Sequence, residues 1–183
     1  MKVKEIILTA ANELGMGAEI AAYFNGAAPE YQEQANLFLQ CFNLVENELA
    51  LDYLPLYAED EIETTTGTVK YTILRNDAVR ILCVENEWGE SIKFDLFADY
   101  LKTQPGLVKI RYTYTPQKKT ISEDSDFTLL ASERLLAYGI AAEYTLATGR
   151  FEESAVWDKK YKAAINAAYE LRPAKKIRSR RWC

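Results

Sequence analysis

The chain has 183 residues, 49% of them hydrophobic and 27% charged, an ordinary globular composition with room for one sizeable core or a core plus an appended lobe. Histidine is absent, which removes the commonest general base and the commonest metal ligand, and Cys41, Cys83 and Cys183 lie too far apart for a zinc site or a disulfide framework. The formal charge is -5, but residues 171–183 hold six of the 22 basic side chains and no acid. That leaves 16 basic against 27 acidic elsewhere, an acidic body with a basic tail.

The opening residues lead into an acid-bearing amphipathic pattern rather than a continuous apolar stretch, so no signal peptide is expected and the chain should stay in the cytosol. Residues 3–14 place Val3, Ile6, Ile7, Ala10, Ala11 and Leu14 at helical spacing, with Gly15 as a stop. Residues 16–29, rich in Gly and Ala, fit either a helical turn or an irregular connection. From Glu30 the residues Tyr31, Gln34, Ala35, Phe38, Cys41, Phe42, Val45 and Leu49 recur at three and four, which predicts a helix of about five turns with a mostly apolar face.

At Leu54-Pro55 the texture changes, because a proline and its restricted predecessor end a helix. The period then shifts to two. Strands are predicted around Ile62, Thr64 and Thr66, over 68–74, over 78–86 and 90–96 as a hairpin about Glu87-Trp88-Gly89, and over 107–115. In the last of these Val108, Ile110, Tyr112 and Tyr114 face one way and Lys109, Arg111 and Thr113 the other, the pattern of an antiparallel sheet with one wet face.

After the polar loop 117–125, residues 126–148 read as a helix apolar almost all round, interrupted by charge only at Glu133, Arg134 and Glu143. Ser125 or Asp126 is expected to cap it. Gly139, beside Ala137, Ala141 and Ala142, should offer a smooth surface for a close neighbour. Its longest uncharged run, 135–142, is far short of the roughly 20 residues a bilayer needs. A second helix, 151–170, follows Gly149 and makes a helical hairpin.

The predicted architecture is α+β: N-terminal helices over 1–54, an inserted antiparallel β lobe of about five strands over 55–116, a C-terminal helical hairpin over 117–172 that completes the bundle, and a basic tail over 173–183. Three acidic groups, Glu59 to Glu63, Glu85 to Glu90 and Glu123 to Asp126, fall on loop or strand-edge positions and read as a solvated rim. Cys41 and Cys83 read as small core residues. No phosphate-cradling glycine loop, nucleophile elbow or metalloprotease motif occurs, and no cofactor or metal is expected. The tail is what asks for a partner: Lys175, Lys176, Arg178, Arg180 and Arg181 with the apolar anchors Ile177 and Trp182 can lie on an acidic protein surface or meet phosphates.

The order of parts resembles the head-to-tail connector, or adaptor, proteins of tailed bacteriophages. The residues that carry the resemblance are Glu13-Leu14-Gly15 ending the first helix, the strands Val79-Arg80-Ile81 and 108–116, and the helix 137–144 (AYGIAAEY). Its partner carries Ala155-Val156-Trp157 and Tyr161, and Arg180-Arg181-Trp182 closes the chain. The resemblance implies a non-enzymatic virion protein, assembled in the host bacterial cytoplasm. It is a monomer when free and a dodecameric ring beneath the portal protein, where it meets a tail or head-completion protein. Packaged DNA would pass its channel without specific binding, no membrane is involved, and the tail would reach the portal or a neighbouring subunit. A head-completion stopper or tail-completion protein is the near alternative. From other classes stand a nucleic-acid binder using the tail, against which the acidic body weighs, and a metal-dependent enzyme using Glu59 to Glu63.

Overall fold

The computed structural model describes residues 1–128 and 130–170, and over these the fold is α+β. Helices α1 (Val3–Glu13) and α2 (Gly17–Phe24) open the chain. A 3-10 turn at Pro29–Tyr31 leads into α3 (Gln32–Glu48), which ends in a wider π-helical turn, Leu49–Tyr53. Residues 16–29 are therefore mostly helical. Gly15 has φ +74° and lets the chain reverse between α1 and α2.

Six strands follow: β1 (Leu56–Thr64), β2 (Thr68–Lys70), β3 (Ala78–Asn86), β4 (Asp95–Leu96), β5 (Tyr100–Lys102) and β6 (Gly106–Tyr114). They form two antiparallel three-stranded sheets, β1-β6-β3 and β2-β5-β4. The β1–β6 ladder runs without a break from Leu56–Tyr114 to Thr64–Gly106, whereas β3 pairs with β6 through two register shifts. Val108, Ile110 and Tyr112 of β6 are buried with Val69, Leu101, Ile81 and Val84, so the inner face of the larger sheet packs beneath the smaller one. The outer face carries Glu59, Glu61, Lys109 and Arg111, the alternation the sequence predicts.

Two strand expectations change. The hairpin about Trp88 forms its turn, with Asn86 N donating to Glu90 O at 2.9 Å, and pairing continues only to the Glu85–Ser91 bridge and Ile92 N to Val84 O. Ile92 and Phe94 then turn inward against the lobe's core, and Asp95–Leu96 joins the other sheet. Likewise 68–74 is strand only to Lys70, after which Tyr71–Ile73 makes a 3-10 turn that brings Leu74 inside.

Helices α4 (Glu133–Ala147) and α5 (Phe151–Glu170) complete the bundle. Helix α4 contacts α1, α3 and α5, and ten of its residues are buried, as a rod with almost no polar face requires. It begins seven residues later than predicted. Ser132 is its cap, its Oγ accepting from Leu135 N at 3.1 Å, because Ser125 and Asp126 are engaged by Glu46 and Lys119 instead. A helical cluster around Phe38, Phe42, Leu135 and Ile140 and the lobe's cluster around Ile110 and Tyr112 make two cores, and Tyr114 packs against both.

Candidate interaction surfaces

Lys175, Lys176, Ile177, Arg178, Arg180, Arg181 and Trp182, the contacts expected from the sequence, lie outside the described residues. Near the end of α5 the Tyr169 hydroxyl donates to the carbonyl of Tyr53, just before the chain enters the lobe.

The acidic groups do more than form a wet rim. Glu59 and Glu61 stand on the outer sheet face and meet Lys109 at 3.0 and 3.3 Å, while Glu59 also takes Arg111 at 2.9 Å. Hydrogen bonds from Lys109 and Arg111 hold the Glu59 carboxyl below its usual range. Asp60, between them in sequence, points the other way and is buried. It accepts from the Tyr112 hydroxyl at 2.7 Å and from the Arg75 backbone N and Nε at 2.8 Å each. Burial opposes its charge, but the bonds from Arg75 and Tyr112 outweigh it and keep the carboxyl below the usual range. Glu123 and Asp124 tie down the loop before α4, on Thr120 and on Lys2.

Glu46 on α3 is the other buried acid. Its Oε1 accepts from Ser125 Oγ at 2.6 Å and Asp126 N at 2.9 Å, while Oε2 is buried with no hydrogen-bond partner among the described residues. Burial drives its proton affinity up, against those bonds. Alongside, Asn43 accepts from Lys119 N at 2.6 Å and donates to Lys119 O at 3.2 Å, so α3 grips the loop that leads from lobe to bundle. A groove of about 480 Å³ beside this grip is lined by Gln40, Leu44, Asn47, Pro116 and Gln117, with Glu46 in its wall. Cys41 is buried and its thiol is pushed up to about 12 by that burial. Cys83 departs from the core expectation: it is half-buried on the outer face opposite Arg111. Among the described residues no three acidic or cysteine side chains converge as a metal site, and no helix is long and apolar enough to cross a membrane.

Two further surfaces emerge only in three dimensions. Between α4 and α5 a groove of about 340 Å³ is lined by Arg134, Leu135, Tyr138, Lys160 and Ala163. Lys160 Nζ lies 3.8 Å from the ring centre of Trp157 and 5.6 Å from that of Tyr138, and Arg134 lies 5.2 Å from Tyr138. On the lobe, Trp88 is 76% exposed at the tip of the β3 turn, among Glu85, Glu87 and Glu90. The spacings Arg134–Tyr138 and Trp157–Lys160 place each pair on one helix face, but nothing in either spacing brings the two faces together.

No protein-family model matches the chain, and no curated protein matches it.

Proposed function

We propose that this chain is a structural virion protein, a bacteriophage head-to-tail connector that assembles as a ring beneath the portal and links the DNA-filled capsid to the tail. The observation that carries this reading is the exposure of large apolar side chains on both parts of one subunit. Phe151 is 69% and Val156 54% exposed on α5, and Trp88 is 76% and Val79 53% exposed on the lobe. Tryptophan and phenylalanine are side chains that interfaces favour over open surface. A ring is built from heterologous contacts, which need two different surfaces on each copy, and such exposed side chains stand on both the helices and the β lobe. The acidic balance of the body suits a channel past which DNA must slide without sticking.

The test is to mix the purified chain with a candidate portal ring and follow mass by light scattering, with and without residues 173–183. The expected result is that the full chain joins the ring and the truncated chain does not. If neither joins, the connector reading fails, and salt-dependent DNA binding becomes the next measurement.

A further inference from the structure

We propose that the acidic, tryptophan-tipped turn Asn86 to Glu90 of one copy docks in the groove between α4 and α5 of a second copy. The inference rests on the ring reading above and names the surfaces that would make its subunit contact.

The turn is built to be presented. Asn86 Oδ1 accepts from Trp88 N at 3.1 Å and Glu90 N at 2.8 Å, and Asn86 Nδ2 donates to Glu90 Oε2 at 3.0 Å. Gly89 takes the positive φ, +77°, that closes the turn. The backbone beneath the indole is thus stiff, and the indole's exposure is the greatest of any large apolar side chain described. A turn already fixed loses little backbone freedom on binding, and tryptophan is a common interface anchor. Glu90 is already engaged with Asn86, and the Glu87 carboxylate has no partner among the described residues.

The groove is its complement in sign. It is walled by the Tyr138 ring and apolar Leu135 and Ala163, and rimmed by two cations, Arg134 and Lys160. Those cations are held over aromatic rings and meet no carboxylate among the described residues, unlike Lys109, Arg111, Lys119 and Lys162. An indole seated against Tyr138 would bring Glu87 to the side of Lys160 and Arg134, pairing charges that are unpaired in the single chain. Because turn and groove are different surfaces, the contact is heterologous and propagates from copy to copy, closing wherever the rotation allows.

The experiment uses full-length chain, half of it labelled with nitrogen-15, assembled on the portal ring or concentrated until it self-associates. A zero-length carbodiimide then joins amines to carboxylates in contact. Mixed-isotope peptides linking Lys160 to Glu87 are expected. Trp88→Ala and Lys160→Glu, both at exposed positions, should each remove them and weaken association about tenfold or more. Glu87→Lys added to Lys160→Glu should restore association by exchanging the charges. If the wild-type chain associates without that crosslink and Lys160→Glu leaves its mass unchanged, this contact is wrong while the ring reading stands. A Lys160 crosslink to a different protein alone overturns the second-copy occupant. If no association occurs under either condition, both readings fall.

Discussion

A Cβ placed on Gly139 would lie 2.6 Å from Cγ1 of Val45 and 2.9 Å from Cε2 of Tyr161, so α3 and α5 both close on α4 at the one residue that has no side chain. Gly139→Ala gains about 1 kcal/mol of helix propensity but overpacks this contact at a cost of about 1–3 kcal/mol. Val45 is β-branched and has little rotamer freedom with which to yield. The expected result is net destabilisation in urea melts. The double change Gly139→Ala with Val45→Ala should be milder than the sum of the two singles, because the new methyl fills part of the space Val45 leaves. Additivity would mean that the two positions do not meet.

Asp60 should give the lobe an acid limb. Its folded-state proton affinity is held below the unfolded value, so the stability it contributes is complete above the ordinary carboxylate pKa and is lost as pH falls through the lower folded one. Tyr112→Phe removes the hydroxyl that donates to Asp60 and accepts from Asn76 N, and should cost about 1–3 kcal/mol near pH 7. Asp60→Asn should flatten the acid side of a stability-against-pH curve. A wild-type curve unchanged by that substitution would show that Asp60 does not set the limb.

Glu46 works in the opposite sense. Its folded-state proton affinity is raised, so its contribution is most favourable below the unfolded carboxylate pKa and declines as pH rises through the higher folded one. Glu46→Gln keeps an oxygen for Ser125 and Asp126 N while removing the buried charge. Thermal melts should show a flatter decline toward neutral pH and a higher midpoint there than in the parent. Glu46→Ala strands both donors and should lower stability by about 1–3 kcal/mol.

The cap of α4 separates two sites that look alike on paper. Ser132→Ala should cost about 1 kcal/mol and loosen amide exchange at Leu135, whose N–H it holds. Asp126→Ala breaks the pairing with Lys119 instead, at 2.7 Å, and should leave the first turn of α4 protected. Equal loss of protection in both variants would place the helix start earlier than Ser132.

The helices were legible because their apolar periodicity is strong. Ile6 and Ala10 in α1, Phe38, Cys41 and Val45 in α3, and Leu136 and Ile140 in α4 recur at three and four, and each is buried on the face this spacing selects. Helix α4 was the exception at its start, since Phe127 and Ala131 are buried whether that segment is helix or not, and periodicity cannot tell these cases apart. Its cap depended on Glu46, 79 residues away from Ser125, a partner no local pattern reveals. In the lobe the alternation in β6 was plain, but Asp60 sits in a run of acids whose side chains alternate faces. A count of charge in that run reads as a rim, while the pleat sends one carboxylate inside. The groove beside Lys160 was out of reach for a related reason: its walls come from two helices whose rotation is set by packing.

The strand ends Leu56 and Tyr114 are direct partners in an unbroken antiparallel ladder, so the chain leaves the helices and returns to them at nearly the same point. Residues 57–113 are therefore a cassette. The chain joins bundle and lobe at two adjacent crossings, and the gap between those crossings can be closed by a short turn as readily as by the whole lobe. Once β1 meets β6, α3 and α4 are no longer far apart along the chain for the purpose of folding. The lobe can lengthen, shrink or change its tip without asking the bundle to repack.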